Sequence, residues 1–193
     1  MLLSVLELVK NCMYPNNTLF TYDFLHLLDK PLTTKMFCLG LLDTFDTAGM
    51  TMMQKCSDYG LHDFVQVLLD FGANANSTTD ETSTKPVLLA AYSGHADVLR
   101  VFLEHKKVSR DNVTVARFDV QDGYSKESLL HYILKMSKKM DGAEMLNNYR
   151  QCFDLLFDEY DSTVDGEIKK IINKRDSSGN SALHYATQNW SQE

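Results

Sequence analysis

The stretch KPVLLAAYSGHADVLRVFL, residues 85–103, decides the fold. Pro86 suits the first turn of a helix, where its missing N–H costs nothing. Gly94 then suits a left-handed backbone conformation that ends the helix. The apolar residues that follow recur at the spacing of one stripe on a second helix; they are Val98, Leu99, Phe102 and Leu103. The stretch therefore predicts two short helices joined by a tight turn.

The same pattern occurs elsewhere in the chain. Sliding residues 46–76 onto the stretch places Asp46 on Asp80 and Gly60 on Gly94, an offset of 34 residues. DSSGNSALHYA at 176–186 repeats the opening half, and ESLLHYI with CFDLLF is a weaker copy. The offset lies within one residue of the ankyrin period of about 33 residues. Most of residues 46–190 thus resembles the ankyrin-repeat family.

The family pattern gives several side chains an expected role. Thr51, Ser128 and Ser181 occupy N-cap positions, where a hydroxyl can accept from the free N–H groups of the first turn. Gly60 and Gly94 are expected to end the first helix of their units. His131 and His184 fill the histidine position of the family's T-P-L-H motif. The resemblance implies that they make structural hydrogen bonds to loop backbone.

The expected architecture is an all-α ankyrin-repeat solenoid of helix-turn-helix units with finger loops, with about four to five repeats in one array. Its expected segments are degenerate N-terminal helices over 1–45, repeats over 46–79 and 80–106, an expanded repeat with inserts over 107–172, and a truncated repeat over 173–193. The expanded repeat is expected to have its outer helix at 149–157, a poorly ordered insert around Lys138–Leu146 and a short helix at 165–172. Because the last unit stops after one helix, we expect the chain to be a piece of a longer array.

Composition excludes several classes of protein. The chain has 193 residues, of which 44% are hydrophobic and 23% charged, and a net charge of −7 that argues against a general nucleic-acid binder. Its apolar runs fall short of the roughly 20 residues of a membrane span. Cys12, Cys38, Cys56 and Cys152 show no zinc or dithiol spacing, so we expect reduced thiols, no metal and no cofactor.

A second resemblance concerns the C-terminal third. SLLHYILKMSKK, then CFDLLFDEYD, then STVDGEIKKIINKRDSSGNSALHYATQNW resemble the N-terminal ankyrin region of transient receptor potential channels of the ankyrin subfamily, most of all the insect painless and pyrexia branch. The resemblance implies the cytosolic arm of a cation channel with a role in sensory gating, at the cytoplasmic face of the plasma membrane. It also implies partners in the same channel, and a homo-oligomer in the full-length protein. The alternative is a cytoplasmic ankyrin adaptor or inhibitor unrelated to channels.

Ankyrin arrays usually bind protein partners on the concave face formed by the inner helices and the fingers. Mapped by motif position, the concave-face candidates are Asp58, Tyr59, Tyr92, Ser93, Lys135, Met136, Gln188 and Asn189. The fingertip candidates are Thr47, Ala48, Met50, Glu81, Thr82, Thr84, Tyr124 and Ser125. Tyrosine and methionine suit such a surface because both are enriched at interfaces.

Three other functions are weaker readings of the same residues. Catalysis would need a poised nucleophile, and Cys56 and Cys152 fall on positions expected to be buried, so an enzyme is not predicted. Thiol sensing would fall to Cys12 alone. Lipid or polyphosphate binding would use a lysine-rich set that is interleaved with acids: Lys135, Lys138, Lys139, Lys169, Lys170, Lys174 and Arg175.

Overall fold

The structure, a computed structural model, describes residues 49–70, 72–78, 84–108, 115–139, 143–158 and 171–190. Over these ranges the chain forms seven helices, with isolated bridges in place of strands. The helices are α1 (Met52–Asp58), α2 (His62–Asp70), α3 (Pro86–Tyr92), α4 (Ala96–Val108), α5 (Leu129–Lys139), α6 (Ala143–Asp158) and α7 (Ala182–Trp190). The expectations for 1–45 and for most of 159–172 lie outside the described residues.

The helices are arranged as an all-α solenoid, as predicted. The inner helices α1, α3, α5 and α7 pack each on the next, and the outer helices α2, α4 and α6 do the same. Within a unit, α1 packs on α2, α3 on α4 and α5 on α6. Each helix thus packs against helices of its own unit and of the adjacent unit, which is how a repeat array builds a continuous core.

The predicted starts of α1 and α3 are confirmed. Thr51 Oγ1 accepts from Gln54 N at 3.2 Å, and Gln54 Oε1 accepts from Thr51 N at 2.8 Å, which completes a capping box. Pro86 lies in the first turn of α3. These two devices satisfy or remove the N–H groups that a short helix leaves without partners.

The two predicted glycine stops are also confirmed. Gly60 has φ +73° and Gly94 has φ +74°, a region that side chains with a Cβ rarely adopt. A Cβ at Gly60 would lie 2.6 Å from His95 Nδ1, and one at Gly94 would lie 3.1 Å from Tyr149 Cζ. The turns between inner and outer helices therefore need glycine for both conformation and space.

The predicted capping role of Ser128 and Ser181 is wrong in detail. Ser128 Oγ lies 2.7 Å from Nδ1 of His131, and that nitrogen also accepts from Ser128 N at 3.2 Å. Ser181 and His184 repeat the arrangement at 2.8 and 3.2 Å. The histidine ring therefore replaces the glutamine of a capping box, and the serine hydroxyl turns toward the ring. Both hydrogen bonds run from the serine to the same ring nitrogen, so this cap lacks the reciprocal bond of a capping box, and the residue types alone did not reveal it.

Helix α6 corrects the expected extent of the insert in the expanded repeat. The sequence predicts an outer helix from 149, but α6 begins at Ala143. Residues 143–146, assigned to a poorly ordered insert, belong to its first turns. Residues 140–142 lie outside the described part of the chain. The apolar spacing found only the half of α6 that is buried, because residues 145–147 lie on the surface.

Candidate interaction surface

Three of the eight predicted concave-face residues are exposed at the surface of the described structure. Tyr59 is 66% exposed and Tyr92 is 44% exposed, and Gln188 is exposed at the far end of the array. Asp58, Ser93 and Lys135 are half-buried. The side chain of Asn189 lies outside the described part. The structure thus brings the two tyrosines to the surface of successive inner helices.

Met136 does not fit the predicted surface, because its side chain is only 5% exposed and belongs to the core. After α1 and after α3, a glycine ends the inner helix one or two positions after the candidate residues. In the unit of α5 and α6, Ser137 occupies that position, and α5 continues to Lys139. Met136 therefore lies inside a helix and packs inward, and the prediction of an exposed Met136 is wrong.

Asp58 and Ser93 link two neighbouring units. Ser93 Oγ donates to Asp58 Oδ1 at 2.8 Å, and His95 Nε2 lies 2.9 Å from the Asp58 carbonyl oxygen. The two hydrogen bonds tie the end of α1 to the turn after α3. These polar groups thus fix the spacing of the inner helices on which Tyr59 and Tyr92 are carried.

Tyr92 is held from both ends. Its backbone carbonyl accepts from the Tyr149 hydroxyl at 2.7 Å, and its ring meets Tyr132 edge to face, with centroids 5.6 Å apart and planes at 89°. Aromatic pairs prefer this geometry. The ring contact with Tyr132 restricts the Tyr92 side chain, and a restricted side chain loses less conformational entropy when a partner covers it.

Lys135 has a structural partner. Its Nζ lies 2.5 Å from Glu127 Oε1, and the Glu127 side chain is almost fully buried. A buried carboxylate without a partner would be costly, so the lysine offsets the burial of Glu127. Lys135 is therefore engaged within the fold, and the lipid-binding set considered from sequence loses one of its members.

Among the described fingertip candidates, two make hydrogen bonds within the fold and one is almost fully exposed to solvent. Ser125 Oγ donates to Asp122 Oδ2 at 2.8 Å, and Thr84 Oγ1 donates to Asp122 Oδ1 at 3.1 Å. Met50 is half-buried. Tyr124 stands out, since it is 93% exposed. Thr47, Ala48, Glu81 and Thr82 lie outside the described residues.

Two carboxylates that were not candidates organise the fingers. Asp122 accepts from the N–H groups of Tyr124 and Ser125, and Asp176 accepts from those of Ser178 and Asn180. Burial raises the pKa of both carboxyls, but the hydrogen bonds outweigh it and hold both pKa values below the usual range. For Asp176 the sequence DSSG at 176–179, the aspartate–glycine spacing of the ankyrin finger, was the available signal, whereas Asp122 is followed by GYS and lacks that spacing.

The side chain of His131 links its own unit to the backbone of the next finger, as the resemblance to ankyrin repeats predicts. Because its Nδ1 accepts from Ser128 N, its Nε2 carries the proton and donates to the Asn180 carbonyl at 3.1 Å. The ring of Tyr185 meets it edge to face at 5.6 Å, and the Tyr185 hydroxyl donates to Asp176 at 2.7 Å. The equivalent His184 is exposed.

The two described cysteines are buried, as predicted. Cys56 lies in the core, and burial raises the pKa of Cys152 to about 12. A thiol in such a place forms little thiolate and reacts slowly. Over the ranges that the structure covers, His, Cys, Asp and Glu side chains form no group of three that could hold a metal ion. Cys12 and Cys38 lie outside those ranges.

Comparison with known proteins gives a partial relative. The chain is 29% identical over 103 residues to Rabankyrin-5 of Mus musculus, a protein whose name marks it as an ankyrin. The match covers 52% of this chain and 9% of the mouse protein. No family model matches the sequence. The similarity agrees with the repeat pattern and with the stacked helices, and a likeness to channels is not part of it.

Proposed function

We propose that this chain is an ankyrin-type protein–protein interaction scaffold. The observation that carries the proposal is the pair of exposed tyrosines, Tyr59 and Tyr92, on consecutive inner helices whose spacing is fixed by the Ser93–Asp58 bond. Tyrosine combines a large apolar ring with a polar hydroxyl and is enriched at interfaces. Partial similarity to a protein named as an ankyrin supports the same role.

A displayed library of random peptides tests the scaffold proposal directly. Peptides selected on the wild-type chain should bind the Tyr59→Ser/Tyr92→Ser variant at least about tenfold more weakly, as expected for central aromatic contacts. The matched control is Val108→Ser/Leu146→Ser, which removes two exposed apolar side chains from the outer helices. Thermal melting shows that all three proteins are folded. Equal binding of the selected peptides by all three proteins would show that Tyr59 and Tyr92 of the inner helices do not form the interface.

The more specific role, the cytosolic arm of a sensory cation channel, rests on the resemblance of about residues 127–190 to the ankyrin region of such channels. Within the described ranges, none of the helices has the length and apolar character needed to cross a bilayer. The longer reading frame tests this role. Six apolar spans downstream are expected for a channel arm, and a downstream frame without them would favour an adaptor.

A further inference from the structure

Among the described residues of the fingers, the charged side chains are divided by sign between interior and surface. The fingers are the loops before α3, α5 and α7, described over residues 72–78, 84–85, 115–128 and 173–181. Three of their acids are buried: Asp122, Glu127 and Asp176. All five of their cations are exposed or half-exposed: Lys85, Arg117, Lys126, Lys174 and Arg175. Asp119 is the one acid of these segments that reaches solvent.

The buried acids are occupied within the fold. Asp122 and Asp176 each accept from backbone N–H groups of their own finger. Glu127 is paired with Lys135 of α5. The charges of these acids are thus directed at internal donors, while the cations keep part of their side-chain surface exposed to solvent. The chain as a whole carries a net charge of −7, so this cationic surface is a local feature and not a consequence of composition.

Cations from three successive fingers are linked by shared partners, since Arg117 and Lys174 both contact Asp119, while Lys85 and the backbone N–H of Arg117 both donate to Asn76. Arg117 contacts the Asp119 carboxylate through Nε and Nη2, both at 3.3 Å, and Lys174 Nζ donates to the Asp119 carbonyl. Lys85 Nζ donates to the Asn76 carbonyl at 3.2 Å. Burial, and to a smaller extent the positive charge of Arg117, lower the pKa of Lys85. One carboxylate therefore sits within a row of positive groups.

We propose that this row of finger cations, defined by Lys85, Arg117, Lys126, Lys174 and Arg175, binds an acidic, extended segment of a protein partner. The inference rests on the proposed scaffold function and names the chemistry of its partner. Complementary charge increases the association rate and the specificity of such a contact.

The arrangement favours a peptide over a phosphate headgroup. The cations come from consecutive fingers, so an extended chain with spaced carboxylates can meet them one after another. A phosphate cluster would instead bind where cations converge. At the convergence of Arg117 and Lys174 stands the Asp119 carboxylate, which repels any anion centred there, so an anion with one compact charge is disfavoured more than a chain whose carboxylates are spaced. The exposed ring of Tyr124, in the same finger as Lys126, adds an aromatic contact that suits a protein partner.

Binding of synthetic peptides to the full chain tests the proposal. The probes are a labelled glutamate-rich peptide, its glutamine counterpart, and vesicles that contain an anionic phosphoinositide. We expect the glutamate peptide to bind at least about tenfold more tightly than the glutamine peptide, and to weaken as salt screens the charges. Arg117→Gln/Arg175→Gln should weaken it by roughly tenfold, because the variant removes two of the proposed charge contacts.

Arg100→Gln/Lys107→Gln is the matched control, because it removes the same charge from exposed positions of the outer helix α4. This control should bind the glutamate peptide like the wild type. Equal losses in both variants, or binding to vesicles without binding to the peptide, would overturn the inference. If neutral library peptides still depend on Tyr59 and Tyr92 while the glutamate peptide does not bind, the scaffold function stands and the acidic partner is wrong.

Discussion

Lys126 is a single residue whose backbone conformation conflicts with its side chain. Its φ of +57° lies in the left-handed region, where the equivalent loops before α1 and α7 have Gly49 and Gly179. A left-handed conformation costs an L-residue with a Cβ roughly 1–2 kcal/mol. The finger before α5 therefore keeps the left-handed conformation at this position without the glycine that favours it.

Replacing Lys126 by glycine should stabilise the protein. We expect Lys126→Gly to raise the free energy of unfolding by about 0.5–1 kcal/mol, because relief of the strain exceeds the entropy that glycine adds to the unfolded chain. Lys126→Ala is the control, since it removes the same charge and keeps the Cβ. Urea denaturation measures both. A gain in the alanine variant equal to that in the glycine variant would mean that charge, and not backbone strain, is responsible.

Gly60 shows the opposite case, in which conformation and space act together. Gly60→Ala should cost about 2 kcal/mol or more, because the new Cβ would meet the His95 ring that is held by its bond to the Asp58 carbonyl. Gly179→Ala has a similar φ, but open space around its Cβ. It should cost only about 1 kcal/mol. Comparison of the two free energies of unfolding separates the steric cost from the conformational one.

At the scale of the element, the sequence predicted best what depends on local backbone chemistry. Thr51, Pro86 and the two glycine stops have fixed consequences for φ or for N–H partners, so α1 and α3 begin and end as expected. Met136 and the start of α6 depend on tertiary contacts and on a helix that continues without a stop signal. Hydrophobic spacing does not encode these features, since it detects only a face that is already buried.

The finger carboxylates make the stability of these elements dependent on acid. Asp122 and Asp176 have pKa values below their ordinary range, so their stabilisation is present above the unfolded-state pKa near about 3.9 and is lost as pH falls through the folded-state values. We expect the free energy of unfolding to fall steeply below about pH 4. Asp122→Asn/Asp176→Asn should flatten that fall.

The exposed Asp154 of α6 provides the control for this pH dependence, because its ion pair with Arg150 lies on the surface at 3.8 Å. Asp154→Asn should leave the acid slope unchanged, since exposed pairs contribute little to stability. Urea titrations between pH 2 and pH 6 provide the measurement. A double variant that keeps the wild-type slope would assign the acid sensitivity to other carboxylates.

At the scale of the whole molecule, helix α7 differs from the other inner helices in what covers it. It packs on α5, and no outer helix pairs with it among the described residues. Leu183 on α7 is 67% exposed, whereas the residues at the same motif position in the earlier units, Met53, Val87 and Leu130, are buried. In a repeat array, each unit gains stability from its neighbours on both sides. Among the described residues, the unit that contains Leu183 thus has a neighbour on one side.

Two matched substitutions should reveal this gradient along the array. Leu130→Ala removes a core side chain and should cost about 2–4 kcal/mol, whereas Leu183→Ala should cost less than about 0.5 kcal/mol. Amide exchange should likewise be faster in α7 than in α3, because units with fewer buried contacts open at lower free energy. Both measurements use a dilute protein, so that a second copy does not cover Leu183. Equal costs at the two positions, with equally slow exchange in α3 and α7, would show that the solenoid unfolds as one unit despite the exposed face of α7.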